Sequence, residues 1–116
     1  PKPPSFTVIS QFPVTINDET ATARTIDGMG KHASVAPVEL PEPLTGSEDF
    51  GLFGTAWGVP SVFWLIGGTD HGIWQAAQEK GEPLPVNHSP FFAPLIHPTL
   101  KTGVQAMLGA AYAWLE

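Results

Sequence analysis

The chain has 116 residues, 42% of them hydrophobic, enough for one modest core and too apolar for a disordered tail. Five Lys and Arg against eleven Asp and Glu leave a net charge of -6, which argues against nucleic acid because a phosphate backbone is repelled overall. The absence of cysteine removes disulfides and thiolate metal sites, while thirteen prolines and twelve glycines predict short elements joined by long, shaped loops.

Residues 5–12 alternate, with Phe6, Val8 and Phe12 on one face and Ser5, Thr7 and Gln11 on the other, the period-two pattern of a half-buried strand. Pro13 ends that strand or leaves it at a sheet edge. Asn17 then offers a helix N-cap, followed by Asp18 and Glu19 where the helix dipole favours negative charge. The predicted helix runs from about Asp18 to Met29, buries Ala21, Ile26 and Met29, and is ended by Gly28 and Gly30. Residues 33–40 suggest a short strand around Val35 and Val38, bent or at an edge because of Pro37.

Beyond Pro41, Pro43 and Gly46 a second helix is expected. Either Thr45 and Glu48 form a capping box, or Ser47 is the N-cap with Glu48 and Asp49 in the first turn. Phe50, Phe53 and Trp57 give this helix an aromatic face, and Gly58 with Pro60 is its stop signal. Val59 to Ile66 is apolar on both faces, as in a strand covered by helices on either side, and Gly67-Gly68 closes it. The succession of helix, strand and helix with short links predicts an α/β fold with a mostly parallel sheet flanked by helices. The run Val59–Gly68 falls far short of the roughly twenty residues that span a bilayer, so no membrane is expected as a partner. With no secretory leader read ahead of it, the expected compartment is the cytoplasm.

Residues 69–85 form a long excursion with one or two helical turns at Trp74 to Lys80, beyond which Gly81, Pro83 and Pro85 prevent anything longer. His97 and Pro98 fit the N-cap and first position of the last helix. From Leu100 an apolar stripe of Leu100, Val104, Met107, Leu108, Ala111 and Leu115 marks the clearest helix in the chain. Because ordering a helix of this length outweighs what its stripe contributes alone, it is predicted to dock on the sheet holding Val59–Ile66.

The chemistry centres on Val86-Asn87-His88-Ser89-Pro90-Phe91-Phe92. Pro90 restricts Ser89 to extended geometry, which would fix the direction of the neighbouring imidazole and suit it to a first-row metal. A catalytic zinc needs about three protein ligands, and His32, His71 and His97 show no i, i+4 pairing that would complete a set. Three readings stay open on the residues alone: a structural histidine, a local site with Asp70 and His71, or one donor of a larger sphere.

The set Gly46-Ser47-Glu48-Asp49-Phe50, Val59-Pro60-Ser61-Val62-Phe63 with Gly67-Gly68, and His88-Ser89-Pro90-x-Phe92 resembles the C-terminal part of metal-dependent amidohydrolases of the aminoacylase and carboxypeptidase G2 group, particularly the hippurate hydrolase and indoleacetyl-amino-acid hydrolase branch. Phe12-Pro13-Val14-Thr15-Ile16-Asn17-Asp18 is similar to the segment where that family's chain leaves its lid domain, so the resemblance covers most of the sequence in order. It implies that residues 1–13 are the last strand and linker of a ferredoxin-like dimerisation lid, and that residues 14–116 are the C-terminal part of the catalytic domain. It implies a dinuclear zinc or manganese site with His88 as a ligand, and a substrate pocket beside Gly46 and Ser47. An N-acyl amino acid or related amide is the implied substrate, and the intact enzyme is implied to be a homodimer through the lid.

Glu48 and Asp49 then either orient metal ligands as hydrogen-bond acceptors or simply complement the helix dipole. The family's other ligands and its general-base Glu belong to an N-terminal half not present in these 116 residues, so no catalytic residue is assigned here. The opening at Pro1 fits the same expectation of a fragment, inactive when isolated. The competing expectation is a non-catalytic interaction module that retains the scaffold.

Overall fold

A computed structural model of the chain describes residues 2–46 and 48–115. Four helices stand in order, α1 (Glu19–Ala33), α2 (Gly51–Trp57), α3 (His71–Lys80) and α4 (Thr99–Leu115), with no strand among the described residues. This corrects the predicted α/β fold with a parallel sheet. A strand needs a second backbone about 4.8 Å away to pair with. Residues 5–12 have none, and Phe6, meant for a core face, is 92% exposed. Residues 33–40 likewise lack strand structure from Ser34 onward.

The chain forms two compact units, Pro1–Ala23 with Val38–Phe63, and Arg24–Pro37 with Trp64–Glu116. In the first, the extended segment after α2 is held by two residues. The Phe63 N–H donates to Asn17 Oδ1 at 2.7 Å, Asn17 Nδ2 donates to the Phe63 carbonyl at 2.8 Å, and the Asp18 N–H donates to the Ser61 carbonyl at 3.0 Å. The Asn17 carboxamide thus takes the place that a neighbouring strand's peptide group would fill. Asp18, one residue later than expected, is the residue that caps α1, its Oδ1 accepting from the Ala21 N–H. Phe50 packs against Phe63 with ring centroids 5.4 Å apart, and Phe53 and Trp57 continue the aromatic row along α2.

The glycine stop signals hold for α2 and α3. Gly58 and Gly81 adopt φ 65° and 67°, and the N–H groups of Val59 and Glu82 turn back to the carbonyls of Gly54 and Ala77. After α2 the chain folds directly over Gly54, where a Cβ would collide with the Ser61 hydroxyl.

In the second unit, α1 and α4 cross through small residues. Met29, Ala106 and Ala110 form the buried core, with Val35 and Trp64 packed against it. Helix α1 runs through Gly28 and Gly30 instead of ending there. Gly28 is an approach point: a Cβ on it would meet Ala113 and lie 2.6 Å from the Gly109 carbonyl oxygen. Of the three residues expected to be buried in α1, Ala21 and Met29 are, whereas Ile26 is exposed and Thr25 is buried, its hydroxyl 3.5 Å from Trp114 Nε1. The Arg24 guanidinium lies over the Trp114 ring at 4.3 Å and its Nε donates to the Ala113 carbonyl at 2.6 Å, closing the C-terminal turn of α4. Helix α4 docks by its small side chains, and the large apolar stripe expected to be its docking face is exposed. No helix among the described residues is long and apolar enough to cross a membrane.

Candidate functional site

His88 sits in a four-residue turn closed by a bond from the Ser89 N–H to the Val86 carbonyl at 3.0 Å. Its φ is 71°, the left-handed region that the third position of such a turn ordinarily fills with Gly or Asn. A side chain held there costs on the order of 1 kcal/mol, less for His than for a branched residue. Downstream, the Ser89 hydroxyl accepts from the Phe91 N–H and the Ser89 carbonyl from the Phe92 N–H, so two successive turns fix the segment carrying the exposed imidazole. Such strain is retained where the side chain has a use. His88→Gly is accordingly expected to raise the stability of the chain by about 0.5–1 kcal/mol, read as a shift in urea midpoint at unchanged m.

Residues 46, 48 and 49 belong to the first unit and His88 to the second. Gly46 is exposed with open space where a Cβ would stand. Ser47 lies outside the described residues. Glu48 turns its carboxylate onto the backbone of the next two residues, Oε1 accepting from the N–H groups of Asp49 and Phe50 at 2.9 Å each. The Asp49 carbonyl accepts from Leu52 and that of Phe50 from Phe53, so α2 begins at Gly51, later than the capping signals suggested. Two of the N–H groups at this turn are therefore already engaged by Glu48. Asp49 is exposed, and its carboxylate bonds to none of the described residues of this turn.

Asp70 and His71 have local partners. Asp70 Oδ1 caps α3 by accepting from the Ile73 N–H at 3.0 Å, and the His71 ring stacks on Trp74 with 6.0 Å between centroids. This makes α3 longer than the one or two turns expected, since the cap starts it at His71. No group of three or more His, Asp or Glu among the described residues could hold a metal ion. His88 therefore fits a metal as a single exposed nitrogen donor, and the remaining ligands would have to come from elsewhere.

Asn17 was read from the sequence as a helix cap, whereas its carboxamide binds both backbone groups of Phe63. Its position before Asp18 and Glu19 signalled a cap, but the carboxamide's reach to Phe63, 46 residues on, leaves no local mark in the sequence. No family model matches the chain, and no solved structure matches it.

Proposed function

We propose that this chain is the C-terminal part of a metal-dependent amidohydrolase that cleaves N-acyl amino acids or related amides. The observation that carries the reading is the exposed His88 imidazole held at a positive φ by consecutive turns, inside the His-Ser-Pro-x-Phe segment on which the resemblance rests. A divalent ion, zinc or manganese and two in number in the intact enzyme, would supply carbonyl polarisation and an activated water. His88 would give one nitrogen to that sphere, with its backbone fixing the approach of the ring. Gly46, free of side-chain bulk, would border the substrate beside Ser47, while Glu48 shapes that turn through its two backbone bonds. Asp49 would be the carboxylate left to orient a neighbouring ligand. A cytoplasmic setting and pairing of intact subunits through a lid domain belong to the same reading.

The test is hydrolysis of hippurate-type substrates with zinc or manganese, using the chain alone and with the N-terminal half of its reading frame supplied in trans. The expected result is no turnover by the chain alone, turnover by the mixture, and a fall of about two orders of magnitude with His88→Ala. Turnover by the isolated chain, or a mixture indifferent to His88→Ala, refutes the proposal. A non-catalytic interaction module is the second reading, favoured by the exposed stripe of α4; a mixture that associates but shows neither turnover nor metal retention supports it.

A further inference from the structure

We infer that Ser89 is a positioning residue for His88, its hydroxyl selecting which residue of the first turn is left-handed and so the direction in which the imidazole leaves the backbone. This role rests on the reading of His88 as a metal ligand. Ser89 is the residue that the two turns share. It closes the first by donating its N–H to the Val86 carbonyl at 3.0 Å, and it opens the second through its own carbonyl, which accepts from the Phe92 N–H at 3.1 Å. Its hydroxyl oxygen accepts from the Phe91 N–H at 3.2 Å, a side-chain turn that copies a backbone one. Serine is favoured at the first position of a turn for that bond, and Pro90 stands at the second, where its fixed φ is already right. N–H, carbonyl and hydroxyl are thus all engaged at one half-buried residue.

The first turn has two candidates for its left-handed residue. Asn87 tolerates positive φ better than His does, and local preference alone would place it there. His88 takes that conformation instead, at 71°. The cost of left-handed backbone at a residue with a side chain is of the same order as the gain from the one bond that closes the turn. The first turn therefore does not hold its own register, which depends on Ser89 being fixed from its other side. The Phe91 and Phe92 amides fix it, one through the hydroxyl and one through the carbonyl, and the hydroxyl bond is the one that a side-chain change at Ser89 removes. Moving the left-handed residue back to Asn87 turns the peptide between 87 and 88 and swings the His88 side chain away. For a metal ligand, whose bond is short and directional, that is a loss of coordination.

Ser89→Ala and Ser89→Thr test it, the second keeping the hydroxyl on a branched side chain that suits the extended backbone ahead of Pro90. In the chain alone, the strong amide-to-Hα NOE within one residue that marks positive φ is expected at His88. Ser89→Ala should weaken it there, bring it up at Asn87 and speed exchange of the Phe91 amide about fivefold, with helical circular dichroism unchanged, whereas Ser89→Thr should keep the original pattern. With the N-terminal half supplied in trans, Ser89→Ala should raise the zinc or manganese concentration for half-maximal turnover about tenfold and leave kcat at saturating metal within about twofold; Ser89→Thr should restore the lower concentration. A merely structural role predicts lower stability with no change in metal dependence. A His88 signature unmoved in Ser89→Ala, or a moved signature with unchanged metal dependence, overturns the role of Ser89 and leaves the amidohydrolase reading standing. A mixture of unaltered halves without turnover refutes that reading, and the role of Ser89 in metal binding falls with it.

Discussion

Gly28→Ala is expected to destabilise the second unit by about 2 kcal/mol, while Gly30→Ala, two positions along the same helix, stabilises it by about 0.5–1 kcal/mol. Both changes remove a glycine from a helix interior, so both gain the same propensity. What separates them is the neighbour. At Gly30 a Cβ has nothing within 4 Å. At Gly28 it meets Ala113 and the Gly109 carbonyl oxygen at 2.6 Å, and the latter is backbone that no rotamer change can move aside. The two helices must separate by about 1 Å, loosening Met29, Ala106 and Ala110, the buried cluster between them. An overpacking cost of about 3 kcal/mol against a propensity gain of about 1 leaves the net loss. Thermal unfolding followed by circular dichroism should show a drop of roughly 10 °C for Gly28→Ala and a small rise for Gly30→Ala. Equal shifts for the two would mean that the helices do not cross at Gly28.

Removing the Asn17 carboxamide should release the segment after α2. Asn17→Ala deletes one acceptor and one donor that together bind both backbone groups of Phe63. Because the site is solvent-accessible, water replaces part of the loss, and the expected cost is about 1–2 kcal/mol. Asn17→Asp is the more informative variant. A carboxylate still accepts from the Phe63 N–H but sets negative charge against the Phe63 carbonyl, so one bond persists and the other becomes repulsive. Hydrogen exchange at the Phe63 amide should therefore accelerate at least tenfold in Asn17→Ala and change much less in Asn17→Asp, although both lower the unfolding midpoint. Unchanged exchange in Asn17→Ala would show that another contact holds the segment.

These two sites mark where the sequence could be read and where it could not. Gly58 and Gly81 were legible as helix ends because a left-handed cap nearly demands glycine. Gly28 and Gly30 carry the same letter, yet neither ends α1; the need for a close helix crossing at Gly28 is set by α4, some eighty residues away, and has no local signature. Apolar alternation at 5–12 and apolar continuity at 59–66 are necessary for strands but not sufficient, since pairing depends on a second backbone. For α4 the period was right and the face was wrong. The rule that large side chains mark the buried stripe fails when Gly and Ala let two backbones approach closely. Of the candidate site, His88 was legible as an imidazole in a proline-bounded loop. Its left-handed backbone was not, because Asn87 next to it is the more usual occupant of that region. Glu48 was read with two roles open, orienting a metal ligand or complementing the helix dipole, and its Oε1 accepts from the N–H groups of Asp49 and Phe50 just ahead of α2.

The contact of Arg24 with the last turn of α4 has a consequence for how the protein withstands exopeptidases. Ala113 and Trp114 bind residues 89 positions earlier, so they close a loop of most of the chain's length with one carbonyl and one indole ring. Digestion inward from the C-terminus should therefore slow at Trp114. Once that residue is lost, Arg24 and Thr25 lose their partners together, and the remaining truncation products should be degraded quickly instead of accumulating as a ladder.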